Sequence, residues 1–246
     1  MKVLFLSLLI MVLFLAFPHV GKAVDDSLVL FFSFEEGQGD IANDKSGHDN
    51  TGALENNPKW VEGKYGKGIL FSDGSYMNMG DSETLDGMSE LTVEFWLYVN
   101  QMNNSNLIAK EDWNSSFHSH LYVGDMIYWG NSVSDRINTP AGTVITEEWT
   151  HFVLQFDGTD KMWRIFKNGE EAVSGPATIE EIPDTDVDFT MGGPDLGGGT
   201  LEGILDEFAI YNRALSADEI KQDMEGITSA VKPIGKLANT WAGIKQ

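Results

Sequence analysis

Asp206 is the carboxylate whose position most invites a chemical reading. It falls within residues 203–211, where Ile204, Phe208 and Ile210 share its phase in an alternation with Leu205, Glu207, Ala209 and Tyr211. An acid on the inward phase of a strand is costly unless it is hydrogen-bonded, paired or bound to a metal. Ca²⁺ gathers about six to eight hard oxygens from carboxylates, carbonyls and water. Asp44 opens a turn-rich stretch, Asp44-Lys-Ser-Gly-His-Asp-Asn-Thr-Gly52, whose carbonyls could converge on such an ion. If the first and last strands are neighbours, this loop approaches Asp206, and Asp44 with Asp206 is the expected calcium site. The other solution is that Asp206 accepts backbone amides across the sheet.

Catalytic constellations are sparse. The sequence has no cysteine and no Gly-x-Ser-x-Gly elbow. His118 and His120 stand two apart on a predicted strand and so share a face, yet no third ligand for a zinc ion accompanies them. Asp184, Asp186 and Asp188 alternate after Pro183, which fits a solvated loop better than the paired carboxylates of a glycosidase or the ligand spacing of an EF-hand loop. The glycine-rich stretch at residues 192–199 is acidic and no helix follows it at once, so it is no phosphate cradle.

Sugar contacts are the better prospect. Trp113 lies in the polar stretch Glu111-Asp-Trp-Asn-Ser-Ser116, and Tyr128 and Trp129 precede Gly130-Asn131 at a strand end. Asn131 and Arg136, with Asp112 and Asn114, supply groups that hydrogen-bond hydroxyls. Trp113, Tyr128, Trp129, Asn131 and Arg136 are therefore the expected ligand-binding residues, while Trp96 and Trp149 sit within strong strands and are assigned to packing.

The elements that must position these groups are strands. Residues 28–34, 91–99, 149–157 and 203–211 alternate cleanly; residues 52–55, 106–110, 117–123, 126–130 and 189–191 are shorter candidates. Asn168-Gly169 joins residues 162–166 to 171–173 as a hairpin, and Ser72-Asp-Gly-Ser75 reads as another. Residues 56–68, with Pro58 and three glycines, read as a connection. Ser216 followed by Glu219 is a capping box ahead of Ile220 and Met224, so one short helix follows the last strand. Frequent turns and little helical periodicity predict an all-β, two-sheet antiparallel sandwich or jelly roll.

Composition sets the surroundings. Of 246 residues, 38 are acidic and 16 are lysine or arginine, a net charge of −22. Such a surface repels nucleic acid and anionic membranes, suits solubility in salt, and attracts divalent cations. Residues 1–23 read as a signal peptide: Lys2, an apolar run over residues 3–17, and Gly21 and Ala23 at the cleavage point. That run is short for a membrane span. The mature chain is expected to be exported, to the extracellular space, cell surface or periplasm, with no stable span remaining. An exported chain without cysteine points to a bacterial setting. Residues 24–226 form the domain. The tail at 227–246 has Lys232, Lys236 and Lys245, no acid, and Ile234, Leu237, Trp241 and Ile244 at helical spacing.

Five stretches occur in a recognisable order: Phe71-Ser-Asp-Gly-Ser-Tyr-Met-Asn-Met79, Leu91-Thr-Val-Glu-Phe-Trp-Leu97, Trp149-Thr-His-Phe with Phe156-Asp-Gly158, Trp163-Arg-Ile-Phe-Lys-Asn-Gly-Glu170, and Leu205-Asp-Glu-Phe-Ala-Ile-Tyr-Asn-Arg-Ala-Leu-Ser-Ala-Asp-Glu-Ile220. Together they resemble the bacterial laminin G-like, concanavalin A-like lectin/glucanase jelly roll domains, over residues 28–226. The resemblance implies two packed antiparallel sheets, a frequent calcium site, and binding of a glycan or glycoprotein. The Glu-x-Asp-x-Glu strand of the related glucanases is not found here. The expected protein is thus a secreted, non-catalytic module recognising a carbohydrate or glycosylated surface and stabilised by calcium. A glycan-degrading enzyme on the same fold and an adhesion protein tethered by its tail are the alternatives.

Overall fold

Alternation in the long strands resolves into one shared core, because every second side chain of a strand faces the same way. A computed structural model describes residues 25–110, 116–193 and 199–227. Its strands are β1 (Leu28–Phe32), β2 (Ile41–Ala42), β3 (Gly52–Glu55), β4 (Lys59–Glu62), β5 (Lys67–Phe71), β6 (Tyr76–Asn78), β7 (Glu90–Val99) and β8 (Ser105–Lys110). They continue with β9 (Phe117–Tyr122), β10 (Met126–Gly130), β11 (Arg136–Asn138), β12 (Trp149–Asp157), β13 (Met162–Lys167), β14 (Glu170–Pro176), β15 (Thr190–Met191) and β16 (Gly203–Tyr211); the helix α1 is Ala217–Asp223. The expected leader and all of the expected tail beyond Ile227 lie outside the described residues. No helix among the described residues is long and apolar enough to cross a membrane.

Two antiparallel sheets pack face to face, as expected of an all-β jelly roll sandwich. The first runs β14-β13-β12-β7-β16-β5-β4 with β1 also beside β16; the second runs β11-β10-β9-β8-β15-β6-β3-β2. From β7, Leu91, Val93, Phe95, Leu97 and Val99 enter the core, and Phe152, Leu154 and Phe156 of β12 lie beside them. Rings carry the packing from one sheet to the other. Phe95 stacks on Phe208 at 5.9 Å, Phe208 meets Phe189 at 6.2 Å, and Phe189 meets Phe117 at 5.5 Å. Each such buried ring contributes roughly 1.5–3 kcal/mol by leaving water.

Three local expectations are corrected. Ser72–Ser75 is a tight turn, closed by Ser75 N–H on the Ser72 carbonyl, but not a hairpin: β5 belongs to the first sheet and β6 to the second. A turn fixes only the local reversal; free strand edges decide the pairing, and β5 finds β16 while β6 finds β15. The stretch 56–68 is not all connection, since β4 pairs with β5 through the Gly63–Gly66 turn.

The third correction changes Asp206. A bulge interrupts β16 between Asp206 and Ala209, with Glu207 at φ 49°. The extra residue shifts the phase, so Leu205, Phe208 and Ile210 face the core while Ile204 and Asp206 fall on the other side. At this bulge the neighbour of β16 changes: β5 pairs with Gly203–Leu205, and β1 with Phe208–Tyr211.

Candidate functional site

Asp206 sits on β16 between the stretch paired with β5 and the stretch paired with β1. It is fully buried. Its Oδ2 accepts the Tyr65 N–H at 2.8 Å and its Oδ1 the Glu207 N–H at 2.8 Å. The carboxylate thus caps the turn between β4 and β5. Gly63 is needed there, because a Cβ would stand 2.6 Å from Asp206 Oδ2 and 2.6 Å from the Lys67 carbonyl oxygen. Burial outweighs the amide bonds and lifts the Asp206 carboxyl to about 7; burial and Asp206 lift Glu207 to about 7.

Asp44 is occupied elsewhere. Its Oδ1 accepts the N–H groups of Phe31 and Ser46 at 2.9 and 2.8 Å, and its Oδ2 accepts Ser46 Oγ–H and Asn50 N–H at 2.8 and 3.0 Å. Phe31 lies opposite Ala209, three residues beyond Asp206. β1 and β16 are neighbours as anticipated, yet the acid that comes close to Asp206 is Glu35, not Asp44. Both carboxylates are committed to donors, and among the described residues no group of three acid or histidine side chains is placed to hold an ion. In this arrangement Asp206 caps the Tyr65 and Glu207 amides, and Asp44 those of Phe31, Ser46 and Asn50.

The outer face of the second sheet gathers most of the remaining candidates. His120 lies opposite both Asn106 and Tyr128, and Tyr128 opposite Asn138, one row across four strands. The adjacent row runs from Ala109 through His118 and Gly130 to Arg136. On strands β8 to β11 this face presents no carboxylate, although the chain has 38 acids. His120 stacks on Tyr128 at 4.6 Å from the β9 side, and the Arg136 guanidinium covers the ring at 4.4 Å from the β11 side. Burial, with His118 and Arg136 nearby, pushes the His120 imidazole down to about 3, so it is neutral. Exposure rises across the face. Asn106, His118 and Tyr128 are buried, His120 and Arg136 half-buried, Asn138 and Tyr122 exposed.

The expected ligand residues therefore divide. Arg136 and Tyr128 are on this face, but Tyr128 is clamped between two neighbours and offers no free ring face. Trp129 points the opposite way: it is fully buried, its Nε1–H donates to the Gln155 carbonyl at 3.0 Å, and it packs edge-on to Trp163 at 5.5 Å. The alternation of Ile127 and Trp129 against Tyr128 dictates this. Asn131 is buried in the turn between β10 and β11, its N–H on the Asp135 carbonyl. Trp113 lies outside the described residues. Sequence reasoning missed Tyr122, which shares the phase of His118 and His120 and is 45% exposed; the two-residue spacing of the histidines was the signal that could have found it.

A cleft of about 300 Å³ elsewhere is lined by Val29, His48, Glu83, Thr84, Asp86 and Asn212 among others. Its Asp86 is tied at 3.2 Å to the buried Lys110 Nζ.

The family model of the concanavalin A-like lectin/glucanases superfamily matches residues 71–221. No curated protein matches the chain. Among solved structures, domain 4 of AbnA, a GH43 extracellular arabinanase from Geobacillus stearothermophilus in complex with arabinotriose, is 19% identical with a TM-score of 0.64, over 80% of this chain and 97% of that one. The binding domain of Paraclostridial Mosquitocidal Protein 1 is 19% identical with a TM-score of 0.64, over 80% of this chain and 51% of that one. The binding domain of Botulinum Neurotoxin DC in complex with SialylT is 14% identical with a TM-score of 0.62, over 81% and 51%. The chain spans about half the length of the mosquitocidal-protein and neurotoxin binding domains and nearly all of the arabinanase domain.

Proposed function

The chain belongs to the concanavalin A-like lectin/glucanases superfamily, and from that premise we propose that it is a non-catalytic binding module that takes a saccharide on the outer face of its second sheet. The observation that carries this reading is the composition of that face. Asn138 offers hydrogen bonds to hydroxyls, Arg136 offers a rigid fork of donors, and the exposed Tyr122 offers a ring for a pyranose or furanose face. The arabinanase domain with its bound arabinotriose, and the toxin binding domain with its glycan, support the assignment to carbohydrate binding. The leader read from the sequence supports export, where such ligands are met.

Titration calorimetry against arabinotriose and a panel of neutral and sialylated oligosaccharides tests the reading. Binding by the full chain is expected, weakened about tenfold or more in Tyr122→Ala and in Arg136→Ala, each with an unchanged melting temperature. No binding to any member, or binding that neither substitution alters, overturns it.

A further inference from the structure

On the opposite side of the molecule, α1 lies over the outer face of the first sheet. Leu215, Ile220 and Ile227 pack there on Leu28, Phe31, Val153, Phe166 and Ala209. Beneath the helix is Glu94 of β7, fully buried, with neither carboxyl oxygen in a hydrogen bond of good geometry; the Tyr211 hydroxyl nearby favours its ionised form, but burial and Asp223 outweigh it. The groups facing it come from every neighbouring element. On α1, Asp223 stands against the Glu94 carboxyl. On β16, the Tyr211 hydroxyl donates to Asp223 Oδ2 at 2.9 Å, and Glu207 adds a further acid. On β12, His151 Nε2 is 3.8 Å from Glu94 Oε2. Burial pushes that imidazole down to about 3, so it is neutral and balances no charge. Cations on the neighbouring elements have other partners: Lys221 of α1 pairs with Glu170 at 3.0 Å, Arg213 with Asp25 and Glu219, and Lys64 lies over the Trp96 ring at 4.1 Å.

Two ionised carboxylates cannot face each other in such a place, because each loses its water and gains a like charge. One proton resolves both problems. A carboxylic acid on Glu94 donates to the Asp223 carboxylate, whose other oxygen already accepts from Tyr211. We propose that this shared proton makes the C-terminal segment a pH-released strap: with it α1 is held on the first sheet, and its loss lets residues 215–227 leave. Burial and the neighbouring Asp223 hold Glu94 well above the ordinary carboxylate range. The sign follows. A folded-state acid that keeps its proton above the unfolded value contributes stability at low pH and loses it as pH rises through the folded value. Release uncovers the apolar cluster on Phe31, Val153 and Phe166.

Hydrogen exchange of the full chain from about pH 5 to about pH 9, corrected for intrinsic base catalysis, tests the strap. Protection of α1 amides should fall by up to about tenfold per pH unit once Glu94 loses its proton, while β7 and β12 amides keep theirs. Glu94→Gln supplies a permanent donor to Asp223 and should hold α1 protection flat. Asp223→Asn, which also removes one acid, is the second variant should the first not fold. Protection of α1 that is independent of pH in the wild type, or that falls in the folded variant as it does in the wild type, overturns the proposal. Neither outcome bears on saccharide binding.

Discussion

The two outer faces of the sandwich are built by the same alternation and have opposite fates. On the first sheet the outward positions of β7, β12 and β16 carry Thr92, Glu94, Val153, Gln155, Ala209 and Tyr211, and the chain's own C-terminal segment covers them. Thr92 Oγ1 donates to the Arg213 carbonyl at 2.8 Å and Gln155 Nε2 to the Leu215 carbonyl at 2.9 Å, so polar side chains there satisfy the covering backbone. On the second sheet β9 to β11 turn outward His120, Tyr122, Arg136 and Asn138, with Tyr122 at the end of β9 and Asn138 on β11 the exposed ones. A covered face can hold acids out of water only by pairing or protonating them; an accessible face keeps groups that hydrogen-bond a partner. The difference separates a surface used for folding from one available for recognition.

The largest expected effect breaks the covered face. Ile220 is fully buried in the second apolar cluster. Ile220→Ala should cost about 2–4 kcal/mol in urea unfolding, by lost burial and the cavity left behind. The same substitution should leave saccharide affinity unchanged. A loss under about 0.5 kcal/mol would mean that α1 is only loosely applied to the sheet.

Much of this contrast was legible beforehand, and the exceptions have physical causes. The inward set of β7 and β12, the Asn168-Gly169 hairpin and the Ser216–Glu219 capping box were readable because each depends on residues adjacent in sequence; the structure shows both halves of the box. The phase of Asp206 was not, since a bulge leaves no mark on hydropathy: Ile204, Phe208 and Ile210 look alternate, yet only the last two share a face. The separate sheets of β5 and β6 were hidden for a related reason, that pairing depends on strands more than a hundred residues distant. At the candidate face Arg136 and Tyr128 were found by residue type. The clamp on Tyr128 and the inward turn of Trp129 come from neighbours across the sheet, which one strand's sequence does not name.

A middle-sized effect concerns the acids at the bulge. Asp206 and Glu207 are both raised to about 7 in the folded chain, by burial first. Each is therefore protonated in the fold over a range where the unfolded chain ionises it. Their contribution is complete below the ordinary carboxylate value and is lost as pH rises through about 7. Melting temperature should fall between about pH 5 and about pH 8. Asp206→Asn should flatten that slope while losing some stability at the acid end, because an amide presents only one acceptor to the two N–H groups. An identical slope in the variant would move the titration to Glu207 or to Glu94 of the strap.

The smallest expected effect is none at all, and it sharpens the comparison from the metal side. Asp206 accepts two backbone amides, and Asp44 accepts backbone amides and the Ser46 hydroxyl. An ion binding only the folded chain would raise the melting temperature by mass action. Scans with calcium and with chelator should coincide, in the wild type and in Asp206→Asn alike. A calcium-dependent rise that Asp206→Asn abolishes would show the carboxylate exchanging its amides for the ion, and the bulge of β16 would then belong to a binding site rather than to the frame that holds the two faces apart.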